Sequence, residues 1–256
     1  MTTDTQTFEQ VATTATRQGD APDTAALTLH PMMLENVEGI VFDLDGTLIN
    51  SAADILHGMR LAFDEAGVGR LPDDYFPDDL HGTGAGIIRS IAADMGWTIP
   101  ANVDALHRLY VKHYTNIAHA NTCLYDDVEA ILDACRQAGL RLGICTNKMR
   151  ANALTAMQKT GILSQFAFVT GCDTWAEAKP SPVPLLETMR MLDLEPGQCL
   201  YFGDTSVDAQ CAQAVGVRFV LHEAGYGDAA LNGLPQHFAF RHWRQLAVTP
   251  AEEPQT

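Results

Sequence analysis

The stretch Gly39-Ile40-Val41-Phe42-Asp43-Leu44-Asp45-Gly46-Thr47-Leu48 sets two carboxylates one residue apart at the end of an apolar run. Residues 39–42 have the character of a strand buried on both faces of a parallel sheet. Asp43 then falls where the strand meets a loop, and Gly46 lets the backbone turn sharply. In open parallel sheets, chemistry gathers at such strand ends. Two carboxylates aimed into one pocket give one group to attack an electrophile and one to move a proton, with a cation offsetting their repulsion. The same residues also read as a plain strand followed by an acidic turn, so their meaning depends on the rest of the chain.

Downstream, Ser51 with Asp54 three residues later has the form of a helix cap. Ile55, Met59, Leu61 and Phe63 give that helix an apolar face running to Gly67. The pattern stays helical to about residue 122. Ile87, Ile88, Ile91 and Met95 mark one helix ending at Gly96, and Val103, Leu106, Leu109, Tyr110 and Tyr114 mark another. Between the first two helices lies His81-Gly82-Thr83-Gly84-Ala85-Gly86, with glycines at alternate positions.

From Tyr125 the rhythm becomes alternating helix and strand. Helices are predicted over 128–138, 151–159, 184–192 and 207–214, with strands over 140–145, 166–170, 199–202 and 217–221 and a last short strand and helix in 238–246. The fold class is therefore α/β, a Rossmann-like parallel sheet interrupted after its first strand by an all-helical insert of roughly 70 residues, long for a plain connection. An insert there hangs over the strand ends, in the position of a lid.

Three further polar clusters follow in order. In Gly143-Ile144-Cys145-Thr146-Asn147-Lys148, a hydroxyl and the amides after it suit a phosphoryl oxygen, although Thr146 or Asn147 equally suits the cap of the next helix. In Ala178-Lys179-Pro180-Ser181-Pro182, the prolines hold Lys179 on a rigid corner, where it can neutralise a nucleophilic aspartate and a transferred phosphoryl group; most lysines are simply solvated. In Leu200-Tyr201-Phe202-Gly203-Asp204-Thr205-Ser206-Val207-Asp208, an apolar strand again ends in an acid, with a second acid four residues on. The two are placed to share a metal, while Thr205 and Asp208 also have the form of a capping box.

An Asp pair, a hydroxyl, a lysine and a second acid pair, in this order over 38–246, resemble the haloacid dehalogenase (HAD) superfamily of phosphohydrolases. The resemblance implies that Asp43 is the nucleophile that forms an aspartyl phosphate and that Asp45 is the acid/base. Mg2+ would be held by Asp43, the backbone carbonyl of Asp45 and Asp204, with Asp208 fixing its waters. Thr146 and the amide of Asn147 would bind phosphoryl oxygens, and Lys179 would offset charge. The presence of Asp45 and Thr47 favours phosphoryl transfer over dehalogenation. The insert directly after the first cluster resembles the subgroup with a helical cap.

Within that subgroup the likeness is greatest to the phosphoglycolate phosphatases, through Asp45-Gly46-Thr47-Leu48, His81-Gly82-Thr83-Gly84, Thr146-Asn147-Lys148 and Gly225-Tyr226-Gly227. It implies a phosphomonoesterase acting on a small phosphorylated metabolite, 2-phosphoglycolate. Gly82, Thr83 and Gly84 would close on the substrate through backbone amides, and Arg89 or another cap cation would meet its carboxylate. Sugar-phosphate phosphatases, pyrophosphatases and phosphosugar mutases share nearly all of these residues; a non-catalytic module commonly lacks one of the acids. Asn50 stands where relatives usually carry Asp, and Met149 replaces a frequent Pro.

The chain is 256 residues long with a formal net charge of -16 and 46% hydrophobic content, which suits one large α/β domain or a core with a smaller insert. Its charge argues against nucleic-acid partners. The six cysteines are scattered without a CxxC pair and read as reduced thiols of a cytoplasmic protein. His107, His113 and His119 are six residues apart, a spacing that turns neighbours on a helix to different faces and disfavours a zinc site. The N-terminus lacks the basic start and apolar centre of a signal peptide, and no run reaches the length of a membrane span. The expected organisation is a disordered tail over 1–36, an α/β core over 37–52 and 124–248, a helical cap over 53–123 and a disordered tail over 249–256, in a monomer or homodimer.

Overall fold

The computed structural model describes residues 28–30, 35–78 and 80–248. In chain order the strands and helices are β1 (Thr28–Leu29), β2 (Gly39–Phe42), β3 (Ile49–Asn50), α1 (Ala52–Glu65), α2 (Gly84–Asp94), α3 (Asp104–Ile117), β4 (Cys123–Leu124), α4 (Val128–Gln137), β5 (Arg141–Cys145), α5 (Arg150–Lys159), β6 (Phe168–Thr170), α6 (Val183–Met191), β7 (Cys199–Gly203), α7 (Ser206–Val215), β8 (Arg218–His222), β9 (Phe238–Phe240) and β10 (Ala247–Val248).

Six strands form the main sheet in the order β6-β5-β2-β7-β8-β9, with every pairing parallel. The chain leaves β2, builds β5 and β6 on one side, then returns to build β7 to β9 on the other. The strand order thus reverses beside β2, the place where an open α/β sheet leaves a crevice. Burial on both faces explains the unbroken apolar run of β2. Ile40 and Phe42 enter a cluster with Val128, Leu132 and Met157, while Val41 faces the opposite cluster with Leu185, Tyr201 and Ala209.

The insert has a core of its own. Ile55, Leu56, Met59, Phe63, Ile87, Ile88, Ile91, Leu106, Tyr110 and Tyr114 form a third cluster, and α1 packs chiefly on α3. The buried stripe of α1 runs through Ala52, Ile55, Leu56, Met59, Ala62 and Phe63, a helical period that includes Leu56 and Ala62 and leaves the expected Leu61 only partly covered. The two chain crossings into and out of the insert pair with each other, Ile49 with Leu124 and Asn50 with Cys123, as an antiparallel ribbon that the sequence reading lacks.

Two expectations need correction. Ser51 does not cap α1 through its side chain; Asn50 Oδ1 accepts from the Ala52 amide at 3.3 Å instead. Asp54 turns away to accept from the backbone and side chain of Asn121 and from the Thr122 hydroxyl, which ties the start of the insert to its end. The second concerns the N-terminal segment, expected as a tail over 1–36. Thr28 and Leu29 pair with Val248 and Ala247, and Leu29 is buried in the core. The remaining tail expectations, over 1–27, 31–34 and 249–256, lie outside the described residues.

Candidate active site

Register builds the floor of the site. Phe42 pairs with Ile144 and with Phe202, and β5 and β7 run one residue past β2, so Asp43, Thr146 and Asp204 emerge within one residue of one another at the switch point. The Asp43 amide donates to Phe202 O at 2.8 Å, which extends the ladder to the residue that carries the carboxylate. Asp204 is gripped from two loops, by Thr47 Oγ1 at 2.9 Å and by the Tyr226 amide at 2.7 Å. That grip leaves no room around it. A Cβ on Gly46 would lie 2.0 Å from Asp204 Oδ2, and one on Gly225 would lie 2.3 Å from Asp204 Cβ.

Lys179 reaches this floor from the corner before α6. Its ammonium lies 2.9 Å from Asp43 Oδ1, 2.6 Å from Asp208 Oδ1 and 3.0 Å from the Tyr201 hydroxyl. The Asn147 side chain fixes that corner, accepting from the Lys179 amide and donating to the Lys179 carbonyl, both at 3.0 Å. Neither Thr146 nor Asn147 caps α5; the Thr146 hydroxyl instead accepts from the Lys148 amide within the loop. Asp208 holds both of the positions open to it in the sequence. Oδ2 completes a capping box with Thr205 at the start of α7, and Oδ1 takes Lys179 and Tyr201.

Of the three buried acids, the one ammonium touches two, Asp43 and Asp208. Burial pushes Asp43 up to about 7, against the pull of Lys179 and with the help of Asp208. Burial, then Asp208 and Asp43, drive Asp204 far above the ordinary carboxylate range. Burial works on Asp208 in the same sense, but its bonds to Lys179, Tyr201 and Thr205 prevail and hold it low. Asp43 Oδ1 is buried without an aligned hydrogen bond, although Lys179 is near. One ligand oxygen from each of Asp43, Asp204 and Asp208 lies within 4.8 Å of the others. Uncompensated negative charge on hard oxygen donors fits a divalent cation.

The second acid of the opening stretch has different surroundings. Asp45 is partly exposed, and its oxygens accept from Lys148 Nζ at 2.8 and 3.0 Å and from the Ser51 hydroxyl. Lys148 also donates to the Tyr114 hydroxyl at 2.6 Å, so an ammonium of the sheet loop meets a phenol of the insert. The Tyr226 hydroxyl accepts from the Ser51 amide at 2.8 Å, linking this pair to the Asp204 loop. The Asp45 side chain is thus outside the acid cluster. Sequence reading missed the contacts of Lys148, Ser51, Tyr114 and Tyr226. Lys148 and Tyr226 stand inside quoted motifs, but only three-dimensional packing shows their partners.

The insert roofs the floor. A chamber of ≈ 120 Å³ is lined below by Asp43, Asp45, Thr146, Asn147 and Lys179, and above by residues of the insert that include Gly82, Thr83, Gly84 and Tyr114. Thr83 Oγ1 accepts from the Gly86 amide and caps α2, which fixes the glycine loop as the start of a helix. Arg89 is the misplaced member of the predicted set. It is exposed, donates to Ala85 O of its own helix and does not line the chamber. Ile87 faces the chamber, and a residue two places on lies about 200° around the helix.

The sequence profile of the haloacid dehalogenase-like hydrolases matches residues 40–222. A phosphoglycolate phosphatase of Cereibacter sphaeroides (strain ATCC 17025 / ATH 2.4.3) is 35% identical over 213 residues, 81% of this chain and 95% of that protein. Another, of Mesorhizobium japonicum, is 34% identical over 221 residues, 83% of this chain and 94% of that protein. Among solved structures, a "predicted phosphoglycolate phosphatase" of Haemophilus somnus superposes with a TM-score of 0.73 at 23% identity, covering 82% of this chain and 96% of that one. CbbY of Rhodobacter sphaeroides in complex with phosphate gives 0.67 at 20% identity, covering 80% and 94%. At those identities the structures speak for the fold alone. The chain belongs to the haloacid dehalogenase-like hydrolases. Within them it is a phosphatase, a hydrolase of phosphoric monoesters.

Proposed function

We propose that the chain hydrolyses 2-phosphoglycolate to glycolate and phosphate, with Mg2+ and an aspartyl-phosphate intermediate, and that residues 53–123 are a cap domain closing over the core. In the first step an Asp43 oxygen attacks phosphorus, the bond to the glycolate oxygen breaks, and that oxygen takes a proton from Asp45. In the second, water gives its proton to Asp45 as it displaces Asp43 from phosphorus. Thr146 and the Asn147 amide receive the phosphoryl oxygens, and Lys179 balances charge as the phosphoryl group arrives. Bound Mg2+ would add positive charge at the transferring phosphoryl group, held by Asp43, Asp204 and the Asp45 carbonyl, with Asp208 beside it.

The chamber carries the substrate reading. Its volume of ≈ 120 Å³ is well below the ~300–1,000 Å³ of clefts that take larger ligands, so it favours a two-carbon acid over a sugar phosphate. The names of the curated relatives point the same way. The test is phosphate release with Mg2+ from a panel that includes 2-phosphoglycolate, sugar phosphates and pyrophosphate, ranked by kcat/KM. A clear lead for 2-phosphoglycolate is expected. A sugar phosphate or pyrophosphate in first place, or isomerisation without phosphate release, would sink the assignment.

A further inference from the structure

A phosphomonoester that also carries a carboxylate needs a second cation, away from the one beside Asp43. Among the described residues, the chamber wall offers two lysines and no arginine. Lys179 is held on the floor by Asp43, Asp208 and Tyr201. Lys148 is the other. Its side chain is only 6% exposed and sits where sheet loop and insert meet. Its polar partners are the two Asp45 oxygens and the Tyr114 hydroxyl, which use its three N–H groups. The Tyr114 hydroxyl that accepts from Lys148 also lies 3.3 Å from His119 Nδ1, and burial raises its phenol pKa.

We propose that Lys148 is the specificity residue that binds the substrate's distal carboxylate, and that its ion pair with Asp45 is a resting contact which the substrate exchanges. This rests on the reading of the substrate as 2-phosphoglycolate. An incoming carboxylate replaces the Asp45 carboxylate on the same ammonium, like for like. Lys148 engages both Asp45 oxygens, so the carboxylate is tied up at the seam even though Asp45 lines the chamber. Once the substrate takes Lys148, Asp45 is free to face the bond that breaks. The substrate's own carboxylate thereby releases the acid/base, and discrimination against uncharged analogues enters kcat as well as KM.

The experiment compares 2-phosphoglycolate with its uncharged amide, 2-phosphoglycolamide, on wild type, Lys148→Met and Lys148→Arg. The quantity is the acid-to-amide ratio of kcat/KM on one preparation, so a variant that folds incompletely still gives a valid ratio. Wild type is expected to favour the acid, and Lys148→Met to lose about 10- to 100-fold of that preference, shared between kcat and KM. Lys148→Arg should keep more of it. Inhibition by 3-phosphonopropionate, which places a phosphonate and a carboxylate at the substrate's spacing, should weaken at least about tenfold in Lys148→Met. A wild-type preference that survives in Lys148→Met with inhibition intact would overturn the role of Lys148 and leave the substrate standing. A wild type that does not distinguish acid from amide would overturn the substrate reading and this inference with it.

Discussion

Asp43 and Asp45 are two residues apart in sequence and belong to different parts of the molecule. Asp43 lies on a floor made by strand register, buried among carboxylates and one lysine that come from the ends of β2 and β7, the corner before α6 and the first turn of α7. Asp45 lies at the seam between sheet and insert, partly exposed, with Lys148 beside it and Tyr114 of α3 one contact further on. The floor is rigid because its positions follow from a parallel ladder. The seam depends on how the insert sits. A site that combines the two can keep its floor fixed while Asp45 answers to what the insert encloses.

The largest effect expected should separate the two acids. With an aryl phosphate, whose leaving group needs little protonation, Asp43→Asn should lose about 10⁴-fold or more of kcat and show no burst of phenolate. Asp45→Asn should keep a burst while steady turnover falls about 10²- to 10⁴-fold. Equal losses with no burst in either variant would erase the distinction.

Next comes the floor itself. Lys179→Met leaves three buried acids with no ammonium among them, and should cost about 3–5 kcal/mol in urea unfolding of the metal-free protein. A loss below about 1 kcal/mol would show the floor to be far better hydrated than its burial implies.

A smaller effect concerns pH. Without a cation, Asp43 in the folded protein is pushed up to about 7, against 3.8 for the free side chain. The folded state therefore holds a proton that the unfolded chain has lost between those values. The Asp43 contribution is fully present below about pH 4 and falls away as pH rises through about 7. A divalent cation relieves the charge that builds up, so the rise in Tm caused by Mg2+ should be larger at pH 8 than at pH 5. Equal rises would argue that the acids do not hold it. The smallest effect belongs to Arg89→Ala, expected to stay within about twofold of wild type in kcat/KM, because the side chain is exposed and, among the described residues, its hydrogen bond is to Ala85 O of its own helix.

The same contrast explains what the sequence disclosed. The central strands of the main sheet were legible because burial on two faces writes a continuous apolar run, and the polar residues that follow β2, β5 and β7 announce the floor. Asp43, Thr146, Lys179, Asp204 and Asp208 do come together. The seam was not legible, because its contacts join residues far apart in the chain through side-chain packing that leaves no periodic mark. Lys148 to Tyr114, Ser51 to Tyr226 and Asp54 to Asn121 are such contacts. Ser51 and Asp54 misled for the same reason. Their spacing fits a helix cap, but each side chain has a stronger partner elsewhere, a carboxylate for Ser51 and the far end of the insert for Asp54. Arg89 failed by phase, since composition offers a cation and the helical period points it outward.

The paired crossing of Ile49–Asn50 with Cys123–Leu124 makes the insert removable. Its two attachment points already lie side by side in antiparallel register, so a two-residue Asn-Gly turn could join Asn50 to Cys123 as an ordinary hairpin, without stretching the sheet. The sheet half of the protein is thus wired as a closed circuit in which roofs are interchangeable parts. Exchanging the roof on this one ribbon would leave the alignment of β2, β5 and β7 as it is.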